Sequence, residues 1–109
     1  MILRVAHLRS CQYELDHHER LARRAGLDDE LVAKVYAGPH AVGLTDRHRA
    51  LLSAVDSLVR WKDIDDADWE SLRAFYDEDQ VIELCLLVGH YDMLATTIAT
   101  LRIARDSLG

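Results

Sequence analysis

The segment from Val81 to Leu94 constrains the fold more than any other part of the chain, because it is apolar on nearly every side of a helix. Glu83, His90 and Asp92 are its main interruptions. A helix without a polar face has to be buried from several directions. In a chain of only 109 residues, this predicts burial both in the protein's own core and in an interface between subunits.

The rest of the sequence also favours helices. The chain contains one proline and five glycines, and no segment has the pattern of a plausible strand. Its length allows one domain at most. The sequence therefore predicts an all-α fold, a single-domain bundle of about five to six helices that spans residues 1–109.

Capping residues and apolar spacing predict where the helices begin and end. The expected helices are 2–8, a second from the N-cap Ser10 to about Ala25, a third from Asp28 or Asp29 to before Gly38, a fourth after Thr45, a fifth from Asp65 or Asp66, and a last one from 77–79 to Leu108. Gly26 supplies a left-handed C-terminal position. Core or helix-packing positions are expected for Trp61, Trp69 and Cys85, and Asp56 is expected to face water.

Charge and targeting signals narrow the class of partner. A net charge of −6 argues against nucleic acid. No secretory leader follows Met1, and no apolar stretch is judged long enough for a membrane span. Two cysteines far apart in sequence make no disulfide framework. The sequence predicts a cytoplasmic protein with free thiols that contacts neither nucleic acid nor membrane.

The candidate site lies in residues 10–18, which read Ser-Cys-Gln-Tyr-Glu-Leu-Asp-His-His. Cys11, Glu14 and His18 are separated by three and then four residues, so they share one face of a helix. A cysteine at the start of a helix is favoured as a thiolate, but a nearby carboxylate opposes this. His18 can offset that charge by pairing with Glu14. The spacing predicts a Glu14–His18 acid/base pair with Cys11 beside it.

The same residues resemble the signature of the carboxymuconolactone decarboxylase family. Its redox branch, the alkyl hydroperoxidase D type, carries Cys-x-x-Cys followed by a histidine four residues on. Here Cys11 matches the first, resolving cysteine, and Glu14 stands in place of the second, which reacts with peroxide. The resemblance is to a single-cysteine variant.

Three further blocks carry the resemblance over nearly the whole chain: 4–6, 21–27 and 88–95. The last block often has a histidine where Asp92 stands. The resemblance implies an alkyl hydroperoxidase D-like helical domain that assembles into trimers or hexamers. It also implies a short N-terminus, because the proton-relay glutamate of redox members and their additional N-terminal helices would lie before Met1.

Three functions are compatible with these features. The first is acid/base chemistry by Glu14 and His18 on a small carboxylated or lactone-type substrate, with Tyr13, His90 and Tyr91 lining the pocket. The second is an alkyl hydroperoxidase-like antioxidant, with peroxiredoxin activity, that uses Cys11. The third is a non-catalytic helical oligomer.

Neither a cofactor nor a metal is expected. Cys11, Glu14, His17 and His18 are all potential zinc ligands, but no second cluster at ligand spacing accompanies them. For the antioxidant function, Cys85 serves as partner thiol only if the fold brings its Cα within about 7 Å of that of Cys11.

Overall fold

The computed structural model describes residues 1–103, and this part of the chain contains six helices and no strand. The helices are α1 (Ile2–Leu8), α2 (Gln12–Arg24), α3 (Asp29–Ala37), α4 (Asp46–Trp61), α5 (Asp66–Arg73) and α6 (Glu78–Thr100). The predicted all-α class is confirmed.

Side-chain caps fix the start of four helices. In each case the side chain of the N-cap residue accepts a hydrogen bond from the backbone N–H three residues later, which satisfies one of the unpaired donors of the first turn. The four caps are Asp28, Thr45, Asp65 and Asp77. The predicted starts of α3 to α6 are therefore confirmed, and at α6 the side chain of Gln80 completes a capping box.

The predicted cap at Ser10 is wrong. Ser10 has a left-handed φ of 51°, and Cys11 is the N-cap residue of α2. The N–H groups of Ser10 and Cys11 donate to the carbonyl oxygens of His7 and Ala6 at 3.1 and 2.9 Å. This pattern closes α1 as a Schellman motif, so Ser10 ends the first helix instead of starting the second. The short connection brings Cys11 against both helices.

Helix α1 lies at the centre of the bundle and packs against α2, α3, α4 and α6, whereas α5 packs on α4 and α6. The largest fully buried side chains are those of Val5, Val55 and Leu72. They belong to one apolar cluster, which also includes Val81, Leu84 and Val88 of α6. One side of α6 is therefore buried in the protein's own core, as predicted.

A buried ion pair joins α1 to α4. The Nε and Nη2 atoms of Arg4 donate to the two carboxylate oxygens of Asp56 at 2.6 and 2.7 Å. Its Nη1 atom donates to the carbonyl oxygens of Val35 and Tyr36 at 3.2 and 2.7 Å, at the end of α3. The prediction that Asp56 faces water is wrong, because this side of α4 packs against α1 and Arg4 needs a counter-charge there.

Other exposures also differ from the predictions. Trp61 and Trp69 are 75% and 42% exposed, and Cys85 is exposed.

Helix α6 ends at Thr100, before the expected Leu108, which lies outside the described residues. Its length and composition are sufficient for a helix that crosses a membrane, which differs from the expectation that no apolar stretch is long enough. Core helices of soluble proteins pass the same test.

Candidate functional site

The first turns of α2 carry the Glu14–His18 pair. Glu14 Oε2 lies 2.7 Å from His18 Nε2, and the two side chains are only 8% and 16% exposed. The predicted pairing is confirmed. The contact is short but poorly aligned, since no hydrogen bond of acceptable geometry from the described residues reaches Oε2. The pair therefore holds a desolvated carboxylate oxygen that keeps acceptor capacity.

Aromatic side chains of α6 hold the imidazole in place. The ring of His18 meets that of Tyr91 edge to face, with centroids 5.5 Å apart. Tyr91 in turn lies edge to face with His90 at 5.1 Å. His17, which is exposed, lies edge to face with His18, with centroids 5.0 Å apart. Of the predicted pocket residues, Tyr91 contacts the pair directly, and His90 lies behind Tyr91 at the surface.

Cys11 occupies a different position from the pair. It is 7% exposed and packs with Ala95 and Ile98 of α6, and Tyr13 lies against the same cluster. Cys11 and Tyr13 line a cleft of about 260 Å³ between the α1–α2 connection and the C-terminal end of α6. Neither Glu14 nor His18 lines this cleft in the single chain. The three motif residues are thus divided between a buried pair and an open cleft.

Sequence reasoning missed two arginines at this cleft, Arg9 and Arg102. Arg9 Nη1 lies 3.4 Å from Asp92 Oδ1, and its Nη2 donates to Thr96 Oγ1 at 2.8 Å. Lys62 Nζ lies 2.7 Å from the other oxygen of Asp92. The sequence signal for Arg9 is its position two residues before Cys11, between the first two predicted helices. The guanidinium of Arg9 is thus held by Asp92 and Thr96, and that of Arg102 is a second cationic group at the cleft.

The structure separates the two cysteines. Both are free thiols. Cys11 touches Ala95, and the rise of 1.5 Å per residue places Cys85 about 15 Å from Ala95 along α6. A disulfide needs Cα atoms within about 7 Å. Cys85 of the same chain cannot serve as the partner of Cys11.

Potential metal ligands are not gathered in one place. Within residues 1–103, no three His, Cys, Asp or Glu side chains are arranged to hold a metal ion. The chemistry that the described residues offer is proton transfer by the Glu14–His18 pair and nucleophilic or redox chemistry by the Cys11 thiol.

The fold and site define an all-helical domain with a buried carboxylate–imidazole pair and, separately, a cleft that is lined by a thiol. The model of the carboxymuconolactone decarboxylase family matches residues 1–57, more than half of the chain. The protein therefore belongs to the carboxymuconolactone decarboxylase family.

A solved structure shows the same fold. It is a crystal structure of a protein of unknown function from Agrobacterium tumefaciens, provisionally described as the antioxidant defence protein AhpD. The TM-score is 0.88 and the identity is 21%, with 94% of this chain and 72% of that chain covered. At this identity the likeness concerns the fold alone. No curated protein matches the sequence.

Proposed function

We propose that this protein is a carboxymuconolactone decarboxylase-like enzyme of the cytoplasm, in which Glu14 and His18 transfer protons to and from a small carboxylated or lactone-type substrate. The observation that carries the proposal is the buried contact of 2.7 Å between Glu14 Oε2 and His18 Nε2. An imidazole and a carboxylate at this distance can share one proton and pass it to a third group. Burial without a fully aligned hydrogen bond is common at sites that are built for chemistry and not for stability.

The proposed reaction is the decarboxylation of a cyclic carboxylated lactone. The bond between the ring carbon and the carboxylate breaks, and carbon dioxide leaves. The electron pair stays on the substrate, delocalised as an enolate. His18 in its protonated form delivers the proton that quenches this carbanion, Glu14 stabilises the imidazolium, and solvent restores the proton. No thiol, metal or redox partner is needed for this sequence of steps.

The cleft at Cys11 provides the proposed route for the substrate. Its arginines, Arg9 and Arg102, supply cationic groups for a substrate carboxylate. Because Glu14 and His18 do not line this cleft in the single chain, we propose that the complete pocket forms when subunits assemble. Homo-oligomerisation, as a trimer or a hexamer, is part of the proposal.

Replacement of His18 tests the proposal. His18→Gln should abolish release of carbon dioxide from carboxymuconolactone, because glutamine cannot donate the proton. His17→Gln is the matched control, since the same substitution falls on the adjacent, exposed histidine. Helical circular dichroism and assembly size should be unchanged in both variants. Undiminished turnover by His18→Gln contradicts the proposal.

A thiol peroxidase is the second candidate, and the position of Cys11 favours it. Cys11 is the N-cap residue of α2, and it lines the cleft. The thiolate would attack a peroxide oxygen, the O–O bond would break, and the alcohol would leave with a proton from solvent while Cys11 becomes a sulfenic acid. One thiol from outside the chain would convert the sulfenic acid to a mixed disulfide with release of water, and a second thiol would release Cys11 as the free thiol. Peroxide consumption with added thiol should then be lost in Cys11→Ser and retained in Cys85→Ser. Equal rates in Cys11→Ser and the parent protein exclude this function.

The non-catalytic oligomer is the third candidate. It is favoured by the separation of the pair from the cleft, since Glu14 and His18 are buried, contact each other and do not line that cleft. This function predicts that the parent protein neither releases carbon dioxide from carboxymuconolactone nor consumes peroxide under any thiol supply. Turnover in either assay that one of the named variants abolishes excludes it.

A further inference from the structure

Helix α6 leaves one apolar face unpartnered. Ile82, Leu86, Gly89 and Met93 follow one another at intervals of four, three and four residues, so they form one line along the helix. We call these four residues the α6 stripe. The side chains of Ile82, Leu86 and Met93 are 52%, 70% and 62% exposed. A Cβ added at Gly89 would meet no described atom within 4 Å. The stripe therefore has a prominent side chain directly beside an open gap.

The α6 stripe is complementary to itself. Reversing the helix about a point between Leu87 and Val88 exchanges Ile82 with Met93 and Leu86 with Gly89. A two-fold interface requires one patch that fits an inverted copy of the same patch. We propose that the α6 stripe binds the α6 stripe of a second copy of this chain, antiparallel across a two-fold axis, with Leu86 of each copy over Gly89 of the other.

Charges at the edges of the stripe agree with this arrangement. In the antiparallel pair, Glu78 lies level with the second copy's Thr97, next to Thr96, which is hydrogen-bonded to Arg9. Glu83 lies within two residues of the level of the second copy's His90. Glu78 thus lies near the end of the second copy that carries Arg9, and Glu83 lies near an imidazole. Asp92, which is level with Glu83, is already paired with Arg9 and Lys62 of its own chain. The two helix dipoles also run in opposite directions, which favours the antiparallel pair.

The polar residues beside the stripe suit a protein partner better than a lipid surface. A stable interface buries about 800 Å² per partner, and a 23-residue helix about 34 Å long and 10–12 Å wide supplies roughly half of that area by its footprint alone. A membrane would have to accept Glu83 and His90, which flank the stripe, and this is costly in an apolar medium. The second copy supplies partners for both groups.

Filling the gap at Gly89 is the sharpest test. Gly89→Leu should weaken self-association by about 30-fold or more, as measured by sedimentation, because the new side chain occupies the space of the second copy's Leu86. The monomer has room for the substitution, and leucine favours helix more than glycine does, so thermal stability at a concentration where both proteins are monomeric should not fall. A loss of association without a loss of stability separates this effect from misfolding.

A second pair of variants controls for added charge. Leu86→Asp should dissociate the assembly, whereas Val42→Asp should not, because Val42 is 91% exposed and lies in a loop outside α6.

Cross-linking through cysteine gives an independent test. Cys85 is exposed beside the stripe and Cys11 is buried, so a short bis-maleimide should link two copies through Cys85, and no link should form in Cys85→Ser. A monomer or trimer whose size Gly89→Leu leaves unchanged would overturn the proposal. So would wild-type protein that stays monomeric and binds lipid vesicles through Leu86.

Discussion

Two buried acid–base contacts among the described residues, Arg4–Asp56 and Glu14–His18, differ in almost every respect. Arg4–Asp56 connects two helices, and the three nitrogens of Arg4 donate four hydrogen bonds. Glu14–His18 lies within one helix, and one of its carboxylate oxygens has no well-aligned donor among the described residues. The first contact satisfies every nitrogen of its cation. The second leaves hydrogen-bonding capacity unused.

This difference separates a contact that holds the fold from one that is available for chemistry. Removing one partner from a fully hydrogen-bonded buried pair leaves an uncompensated charge in the core. A pair on a single helix adds little to the tertiary structure, because an i, i+4 contact already lies within a formed element. We therefore expect Arg4–Asp56 to determine stability and Glu14–His18 to determine activity, and the predictions below test this division.

The largest expected effect is on stability. Asp56→Ala should lower the free energy of unfolding by about 3–5 kcal/mol, because it leaves the buried guanidinium of Arg4 unpaired. Asp46→Ala is the matched control at the start of the same helix, where Asp46 contacts Arg49 at 3.4 Å with its side chain 87% exposed. That substitution should change stability by about 1 kcal/mol or less. Urea denaturation measures both, and equal effects would remove the special role of Arg4–Asp56.

Gly38 gives a second measure of the same contact. Gly38 and Gly26 have nearly equal φ angles of 101° and 100°, but a Cβ at Gly38 would lie 2.9 Å from Arg4 Nη2, whereas a Cβ at Gly26 would meet no described atom within 4 Å. Alanine strains the backbone at both positions, and the strain is larger at Gly38, about 1–3 kcal/mol, because its ψ of −168° lies in a region that essentially only glycine adopts. Gly38→Ala should destabilise the protein by roughly another 1 kcal/mol or more, through the displaced guanidinium. Equal losses of unfolding free energy in the two variants would show that the Arg4 side chain can move away from a Cβ at Gly38 without a measurable cost.

Native-state hydrogen exchange compares the two regions directly. Helix α2 packs mainly against α1, whereas α4 packs against α1, α5 and α6. Local opening should therefore expose α2 at a lower free energy than α4. The slowest amides of α2 should exchange at least about tenfold faster than those of α4. Equal protection would show that α2 unfolds only with the whole domain.

The smallest expected effect concerns Tyr36, at the boundary between the two regions. Burial, and secondarily the hydrogen bond of 2.7 Å from its hydroxyl to Glu19, raises the pKa of Tyr36 to about 12. Its stabilising contribution should be complete below pH 10 and be lost as the pH rises through about 12, because the unfolded chain releases this proton first. Tyrosinate absorbance of the parent protein minus that of Tyr36→Phe measures the titration. A midpoint near 10 would contradict the contact with Glu19.

Local signals in the sequence were sufficient for much of this structure. The caps at Asp28, Thr45 and Asp77 follow from short-range hydrogen bonding, and the Glu14–His18 contact follows from helix geometry alone. Burial of Asp56 could not be predicted, because it depends on Arg4, which is 52 residues away in sequence.

Two further errors have different causes, one local and one tertiary. Serine is a common N-cap residue, which is why the sequence predicts a cap at Ser10. In the structure Ser10 instead belongs to the Schellman motif that ends α1. The division of the motif between a buried pair and the Cys11 cleft depends on where α6 crosses α2, and no pattern within one helix specifies that crossing.

The central claim is that the Glu14–His18 pair serves chemistry and not folding. The most direct measurement is the free energy of unfolding, by urea, of the double substitution Glu14→Met and His18→Leu, which replaces both charged groups by apolar side chains of similar volume. We predict a value within about 1 kcal/mol of the parent protein or above it, because a buried pair can be exchanged for apolar packing without loss. A loss of about 3 kcal/mol or more, like that expected for Asp56→Ala, would show that the pair is part of the structural core and would contradict the account.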